Sequence, residues 1–311
     1  MALGGYAGEN KPDPISLVHA ANDVGDLSRA VPYQLTGTVI LGSGTVDGNK
    51  GAITVYRDHD QYRSDIEISG QRRTWIKLGN KVYVADSSPF AFMGLERLKD
   101  IENAWQETWE NRKGVKFSRP SRKKKLGAEV WCLTVNYQDY DPEVVCFDAT
   151  LKVMVSTGQQ DDVYEFSDFQ SLGGQRYPGT IRRYKRAKIV LEVRNLRVQP
   201  GPVPSNLFRP PEDARAFDDC ENMVTAKLKS SGDILPSNTL SPGERVAIFA
   251  YGIIKEDGTV ADVKVTSIPS NPAIIKFAEG VLSKRRYSPA MCGDRPVASE
   301  LVTEFEAVKS N

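Results

Sequence analysis

Apolar and polar residues alternate through the first hundred positions of this 311-residue chain. Five short runs carry apolar or small side chains at every second position, and the turns between them are too short for crossover helices. The positions of this parity are Tyr33, Leu35, Gly37, Val39 and Leu41, then Ile53 and Val55, then Tyr62, Ser64, Ile66 and Ile68, then Ile76 and Leu78, and then Val82 and Val84. The pattern predicts an antiparallel sheet with one apolar face.

A helical period occurs on both sides of these strands. One helix is predicted from about Pro14 to Val24, and a second from Leu95 to about Arg112. The apolar stripe of the second helix consists of Leu95, Leu98, Ile101, Trp105 and Trp109. Such a stripe is more typical of packing than of a ligand site.

Strand patterns resume after a basic run at Arg122 to Lys125, which is predicted to be the solvated end of a hairpin or loop. The predicted strands cover residues 129–137, 144–147, 151–157, 162–170, 180–186 and 189–198. A helix, a meander, a helical excursion and a second meander together predict an α+β fold. The fold would be one curved antiparallel sheet with helices on its concave side.

Prolines mark the end of this sheet, because proline lacks a backbone donor for the strand ladder. They are Pro200, Pro202, Pro204, Pro210 and Pro211. We predict a first domain at 14–212, a partly packed linker rich in Pro, Ser and Gly at 213–243, and a second domain at 244–311.

The second domain is predicted to have ββαβ order. A turn at Lys255 to Gly258, in which Gly258 supplies positive φ, joins the first two strands, and Asn271 caps the helix. The strands cover residues 246–254, 259–265 and 297–308, and the apolar face of the helix consists of Pro272, Ile274, Ile275, Ala278, Val281 and Leu282.

Composition narrows the class of protein. Lys and Arg number 41 against 40 Asp and Glu, so no global field favours nucleic acid, which is not expected as a partner. No apolar run approaches the roughly 20 residues that span a bilayer. The start at Met1 shows no signal-peptide pattern, so a periplasmic location requires a signal or lipid anchor that was removed or lies upstream.

Four cysteines provide the argument for export. Their spacing excludes a CxxC metal site, and their even number favours disulfides. Cys132 and Cys146 lie in two strands, nearly equidistant from the turn between them, and directly opposed strand residues are close enough to be bridged. Cys220 and Cys292 are left to form the other pair. Four buried free thiols in a cytosolic protein remain the alternative.

Signals for catalysis are weak. His19 and His59 are the only histidines, and His19, spaced from Asp23 as on a helix, is more typical of a surface or capping group than of a base. The Gly-rich stretches at 42–44 and 172–174 fit turns rather than a phosphate loop or a nucleophile elbow. We expect a protein without enzymatic activity, metal or cofactor.

Five short segments of the first domain form motifs of aromatic, glycine and proline residues: Gly51 to Tyr56, Gln61 to Arg63, Tyr164 to Phe169, Gly174 to Ile181 and Leu207 to Pro211. Together they resemble the strands of LolA-type lipoprotein-carrier half-barrels. The resemblance covers roughly residues 14 to 212. It implies a LolA-like half-barrel of the kind that handles lipids or lipoproteins.

The last domain contains Asp257, Gly258 and Val260 in its hairpin and the segment Tyr287 to Val297 before its last strand. These motifs resemble the TonB C-terminal domain, except that Arg285 stands where that family usually has Trp. The combination resembles two-domain bacterial envelope proteins that carry an orphan TonB-like domain. It implies a periplasmic protein with roles in binding or transport.

Two interpretations of the function stay open. In the first, the half-barrel holds a lipid or an acylated protein in a hydrophobic groove. The predicted groove residues are Leu35, Val39, Leu41, Ile53, Val55, Ile66, Ile68, Ile76 and Leu78. In the second, the half-barrel has a filled core and the protein is an interaction scaffold.

A peptide of another chain, such as an outer-membrane transporter, is expected to pair with the edge of the last strand. The residues predicted for this edge are Val297, Ser299, Leu301, Thr303 and Phe305. Glu300, Glu304 and Glu306 share the opposite face of the strand, which is predicted to be wet. The oligomeric state is left open by the sequence.

Overall fold

The computed structural model describes residues 11–42, 50–88, 98, 101–106, 114–125, 127–137, 141–220, 223–229, 240 and 245–308. Within them the chain is mostly antiparallel strand with few helices, as predicted. Contacts divide it into two compact units. The first comprises Met1–His59, Ser64–Gly70 and Glu96–Leu207, and the second comprises Asp60–Arg63, Gln71–Leu95 and Phe208–Asn311. The domain limits derived from the sequence stay predictions.

Two α-helices occur among the described residues, α1 at Pro14–Gly25 and α2 at Pro272–Lys284. The strands in chain order are β1 Tyr33–Leu41, β2 Lys50–Asp58, β3 Gln61–Ile68, β4 Gln71–Leu78, β5 Lys81–Asp86, β6 Lys116–Phe117, β7 Ser121–Lys125, β8 Ala128–Asn136, β9 Glu143–Asp148, β10 Met154–Gln159, β11 Asp162–Ser167, β12 Gln170–Leu172, β13 Gln175–Tyr177, β14 Thr180–Lys185, β15 Lys188–Pro200, β16 Arg215–Asp218, β17 Met223–Val224, β18 Lys227–Leu228, β19 Arg245–Ile254, β20 Val260–Ile268, β21 Tyr287–Ser288, β22 Ala290–Cys292, β23 Arg295–Val297 and β24 Ser299–Val308. Short 3-10 turns lie at Leu27–Ala30, Ile101–Asn103 and Ser205–Phe208.

The first unit contains a large antiparallel sheet in the order β3-β2-β1-β15-β14-β11-β10-β9-β8-β6, and β7 also pairs with β8. Leu35 lies opposite Val55 on β2 and Val198 on β15, and Val39 lies opposite Val193. Directly opposed residues point to the same side of a sheet. The apolar residues that were predicted at alternate positions of β1 and β2 therefore lie on one face of the sheet, which we call the apolar face.

Helix α1 begins where the sequence predicts it. The carboxylate of Asp13 accepts a hydrogen bond from the backbone N–H of Ser16 at 2.8 Å. Pro14 occupies the first turn, where its missing N–H leaves no bond unmade. Val18 and Ala21 form the buried side of the helix.

The second predicted helix is wrong over its described part. Ile101–Asn103 is a 3-10 turn, and residues 104–105 form a further turn. Leu98, Ile101 and Trp105 are still buried. Apolar residues at helical spacing are therefore buried here by successive turns, which tertiary contacts hold in place. Leu95 and Trp109 lie outside the described residues.

The basic run lies in a hairpin, in which β7 ends at Lys125 and pairs with Ala128 at the start of β8. β7 pairs in register with β8, and Arg122 lies opposite Trp131 and forms an ion pair with Glu129. The side chains of Arg122, Lys123 and Lys124 are exposed. The prediction of a solvated hairpin end is therefore correct, and the exposure of three consecutive residues shows that both faces of β7 meet water at this end.

The second unit contains an antiparallel sheet of β4, β5 and β16, in which Val82 lies opposite both Lys77 and Phe217. β16 belongs to the predicted linker, as do β17 and β18, which pair with β22 and β21. The described part of the predicted linker therefore pairs with other strands, while Met223, Val224 and Leu228 stay exposed.

The predicted ββαβ order is present at the end of the chain. β19, β20 and β24 form a sheet in the order β20-β19-β24. Its core consists of Leu240, Val246, Ile248, Ala250, Val265, Ile274, Ala278 and Leu282. Asn271 caps α2 through its side-chain oxygen, and Gly258 has φ of 79° in the hairpin turn, as predicted. The short strands β21, β22 and β23 lie between α2 and β24.

Candidate functional site

The predicted groove residues occupy both units. Leu35, Val39, Ile53, Val55 and Ile66 have no exposed surface, and Ile68 is 3% exposed. The register brings Leu35 and Val55 together on the apolar face. Leu41 is half-buried on β1, whereas Ile76 and Leu78 lie on β4 in the second unit, where Ile76 is buried and Leu78 is half-buried.

A partly buried ion pair lies on the apolar face, and the sequence analysis did not predict it. Arg57 lies opposite Tyr33, which has no exposed surface. Arg57 Nη1 lies 3.7 Å from Glu102 Oε2, and the two side chains are 20% and 5% exposed. The signal that could have identified Arg57 is its parity, because it continues the apolar positions Ile53 and Val55.

Ser64 adds a hydroxyl to the same face. It belongs to β3 and shares the parity of Ile66 and Ile68. Its side chain has no exposed surface, and no hydrogen-bond partner of its Oγ is present among the described residues. Burial of a hydroxyl without a partner costs about 1–3 kcal/mol.

Residues next to Glu102 bind the end of α1. Trp105 Nε1 donates to the carbonyl of Gly25 at 3.0 Å, and Gln106 Nε2 donates to the same oxygen at 2.7 Å. Both bonds satisfy a carbonyl in the last turn of the helix, which has no partner within the helix. Glu102 is thereby held in a segment that is fixed to α1.

Both predicted disulfides are present. Cys132 and Cys146 are directly opposed on β8 and β9, with Cα atoms 4.1 Å apart. Cys220 and Cys292 have Cα atoms 5.7 Å apart within the second unit. All four cysteines are therefore paired, and the alternative of four free thiols is wrong.

The second unit contains a cluster of charged and aromatic side chains, which we call the ionic cluster. Its members are Arg73, Trp75, Asp86, Arg215, Tyr251 and Glu300. Arg73 Nη2 donates to both carboxylate oxygens of Glu300, at 2.6 and 2.7 Å, and Arg73 Nη1 lies 3.8 Å from Asp86. The side chains of Arg73 and Asp86 are 6% and 3% exposed. The cluster links β4 and β5 to β24.

Tyr251 lies at the centre of the ionic cluster. Its hydroxyl donates to Glu300 Oε1 at 2.9 Å, and the Arg215 guanidinium stacks over its ring at 4.9 Å while pairing with Asp86. Burial, followed by the Glu300 carboxylate, raises the pKa of Tyr251 far above its ordinary range. Tyr251 therefore remains a hydroxyl donor at neutral pH.

Two predictions about the last strand need correction. Val297 belongs to β23, where it is buried opposite Ala290, because the chain forms a short hairpin before β24 begins. Glu300 does not point into water, since Arg73 and Tyr251 bind it. Glu304 is exposed as predicted.

The other residues predicted for the edge lie on β24. Ser299 and Thr303 are half-buried, and Leu301 is partly buried against the core beneath α2. The side chains of Phe305 and Glu306 lie outside the described residues.

Both histidines of the sequence lie in the described part of the chain. His19 and His59 are exposed, and His59 Nδ1 lies 2.7 Å from Asp58 Oδ1. Among the described residues no group of His, Cys, Asp or Glu side chains is arranged to hold a metal ion. No helix there has the length and apolar character needed to cross a membrane.

Comparison with known proteins does not assign the chain to a family. No family model and no curated protein matches it. Among solved structures, a LolA superfamily protein from Nitrosomonas europaea is 10% identical, with 63% of this chain and 96% of that chain covered at a TM-score of 0.44. A DUF1329 family protein from Desulfovibrio piger is 13% identical, with 62% and 97% covered at 0.42. The MucA/MucB complex of Pseudomonas aeruginosa is 10% identical, with 95% and 100% covered at 0.28.

Proposed function

We propose that this protein is a non-catalytic binding protein of the bacterial envelope that holds a hydrophobic ligand against the apolar face of its LolA-like sheet. The observation that carries the proposal is that this face combines several apolar side chains with one charged side chain. Leu35, Val39, Ile53 and Val55 provide buried apolar side chains on that face, and Arg57 adds one charge to it. Ligand sites of soluble proteins combine mostly apolar walls with a few polar groups in this way.

The two disulfides support an envelope location. Disulfides persist in oxidising compartments such as the periplasm and are rare in the cytosol. Cys132–Cys146 joins adjacent strands of the first unit, and Cys220–Cys292 closes a loop of 72 residues in the second. Such cross-links stabilise a protein by restricting its unfolded state, and a longer closed loop gives a larger effect.

Full burial of the apolar face favours the competing interpretation, an interaction scaffold with a filled core. Any ligand that enters must displace side chains that now cover Leu35 and Val39. A bulky substitution separates the two interpretations, because it blocks a ligand site, whereas in a filled core it forces strain that costs about 1–3 kcal/mol.

The test is saturable binding of a fluorescent fatty acid to the full chain. We expect Val39→Trp to abolish binding. Val144→Trp, the same change at a position that is 45% exposed, should leave binding intact. Circular dichroism and thermal unfolding of both variants check that the fold is retained. If the wild-type protein shows no saturable binding, the carrier function is wrong and the scaffold interpretation stands.

The C-terminal domain is proposed to be TonB-like and to bind an extended peptide along β24. The supporting observation is the sheet order β20-β19-β24, in which β24 is an edge strand among the described residues. An edge strand offers backbone donors and acceptors that an added strand can satisfy. A transporter-derived peptide should then shift the backbone amide signals of β24 in the full chain. The absence of shifts at millimolar peptide would exclude this mode of binding.

A further inference from the structure

One partner of Arg57 in this structure is a carboxylate supplied by the chain itself. Glu102 is almost fully buried, and its Oε2 lies 3.7 Å from Arg57 Nη1. A carboxylate is costly to bury, and an arginine partner offsets that cost. The apolar face therefore already contains a place where a carboxylate is accommodated next to apolar side chains.

A second polar group lies close to this place. β2 ends at Asp58 and β3 begins at Gln61, so the two-residue turn puts Ser64 opposite Val55. Val55 is two positions from Arg57 on the same face. The Ser64 hydroxyl has neither exposed surface nor a hydrogen-bond partner among the described residues. A hydroxyl in this position can donate one hydrogen bond to an incoming acceptor.

We infer that the ligand is a single-chain amphiphile with a carboxylate head, and that its head replaces the Glu102 carboxylate at Arg57 while Ser64 donates a hydrogen bond to it. This inference rests on the proposed function. The apolar chain of the ligand lies along the face formed by Leu35, Val39 and Val55. No bond is made or broken in this exchange, which swaps one carboxylate for another at the same guanidinium.

Arginine suits this task because its planar guanidinium pairs with a carboxylate through two parallel bonds. A neutral head of the same size, such as an alcohol, cannot replace the charge of Glu102 and leaves the internal pair in place. The site therefore discriminates by charge, while the length of the chain contributes affinity through apolar burial.

Titration calorimetry of the full chain with dodecanoate, and separately with dodecanol, tests the inference. We expect dodecanoate to bind about tenfold more tightly, the effect of one charge-assisted contact. Arg57→Met should abolish that preference. Arg197→Met, the same change at an exposed position of β15, should retain it. Ser64→Ala should weaken dodecanoate binding by about threefold.

Glu102→Gln separates a role of Glu102 as a competitor of the ligand from a purely structural role. This variant removes the internal competitor of the ligand, so it should bind dodecanoate about threefold or more tightly than the wild type and dodecanol unchanged. It also keeps the inference testable if Arg57→Met does not fold. Weaker or equal dodecanoate binding by Glu102→Gln would overturn the inference.

The controls separate this inference from the proposed function. Equal binding of dodecanoate and dodecanol overturns the carboxylate inference and leaves a hydrophobic site intact. Binding of neither compound overturns both the inference and the proposed function.

Discussion

Replacing Arg73 should destabilise the second unit more than any surface charge change. Arg73→Met keeps much of the side-chain length but removes a guanidinium that is 6% exposed and donates twice to Glu300. The carboxylates of Glu300 and Asp86 would then lose a partner while remaining partly or fully buried. Removal of one member of a buried pair costs about 3–5 kcal/mol.

We expect about 3 kcal/mol here, the lower end of that range. Asp86 retains Arg215, and Glu300 retains the hydroxyl of Tyr251. The assay is urea unfolding, with hydrogen exchange of amides in β4 and β24 to report on this unit alone. Arg29→Met is the matched control, because Arg29 is 53% exposed and ion pairs at such a position contribute little to the free energy of unfolding.

A double-mutant cycle adds a sharper test. Arg73→Met combined with Glu300→Leu removes both charges. The double variant should therefore lose less stability than the sum of the losses in the two single variants. A loss below about 0.5 kcal/mol in Arg73→Met, the range of ordinary surface substitutions, would refute the reasoning. Additive behaviour of the double variant would equally show that the two side chains do not act as a pair.

Three further predictions concern the second unit. Hydrogen bonds from two cations lower the pKa of Asp218. Its contribution to the free energy of unfolding is therefore fully present above the ordinary pKa of about 3.9 and is lost as the pH falls from there through the lowered pKa of the folded state. The difference in stability between the wild type and Asp218→Asn should shrink in unfolding curves recorded at acid pH, and a constant difference contradicts this. Gly258→Ala should destabilise, because Gly258 has φ of 79° and an added Cβ would lie 2.0 Å from a backbone oxygen. Gly280→Ala, in an open position of α2, should stabilise by about 1 kcal/mol, and thermal unfolding compares the two. Replacing Cys220 and Cys292 by serine should lower stability by about 4 kcal/mol in the loop-entropy estimate, whereas unchanged unfolding would show that the bridge constrains little.

The sequence by itself determined the strands of the first meander and the turns that join them. Alternation in β1, β2 and β3 is enough to predict antiparallel pairing, because a period of two places apolar side chains on one face and short turns leave no room for crossover helices. Gly258 and Asn271 were identified for the same reason, since turn and cap chemistry acts within a few residues. The cysteine pair on β8 and β9 followed from symmetric spacing about one turn.

Only the tertiary structure decided which charged groups meet. Arg73 and Glu300 are 227 positions apart in the chain, and no local pattern connects them. Arg57 could have been singled out by its parity, but its partner Glu102 lies in a segment whose apolar spacing predicted a helix that does not form there. Tertiary contacts with the end of α1 hold that segment in turns. Contacts of this kind override local preference, because they stabilise the segment by more free energy than a short helix gains from its own propensity.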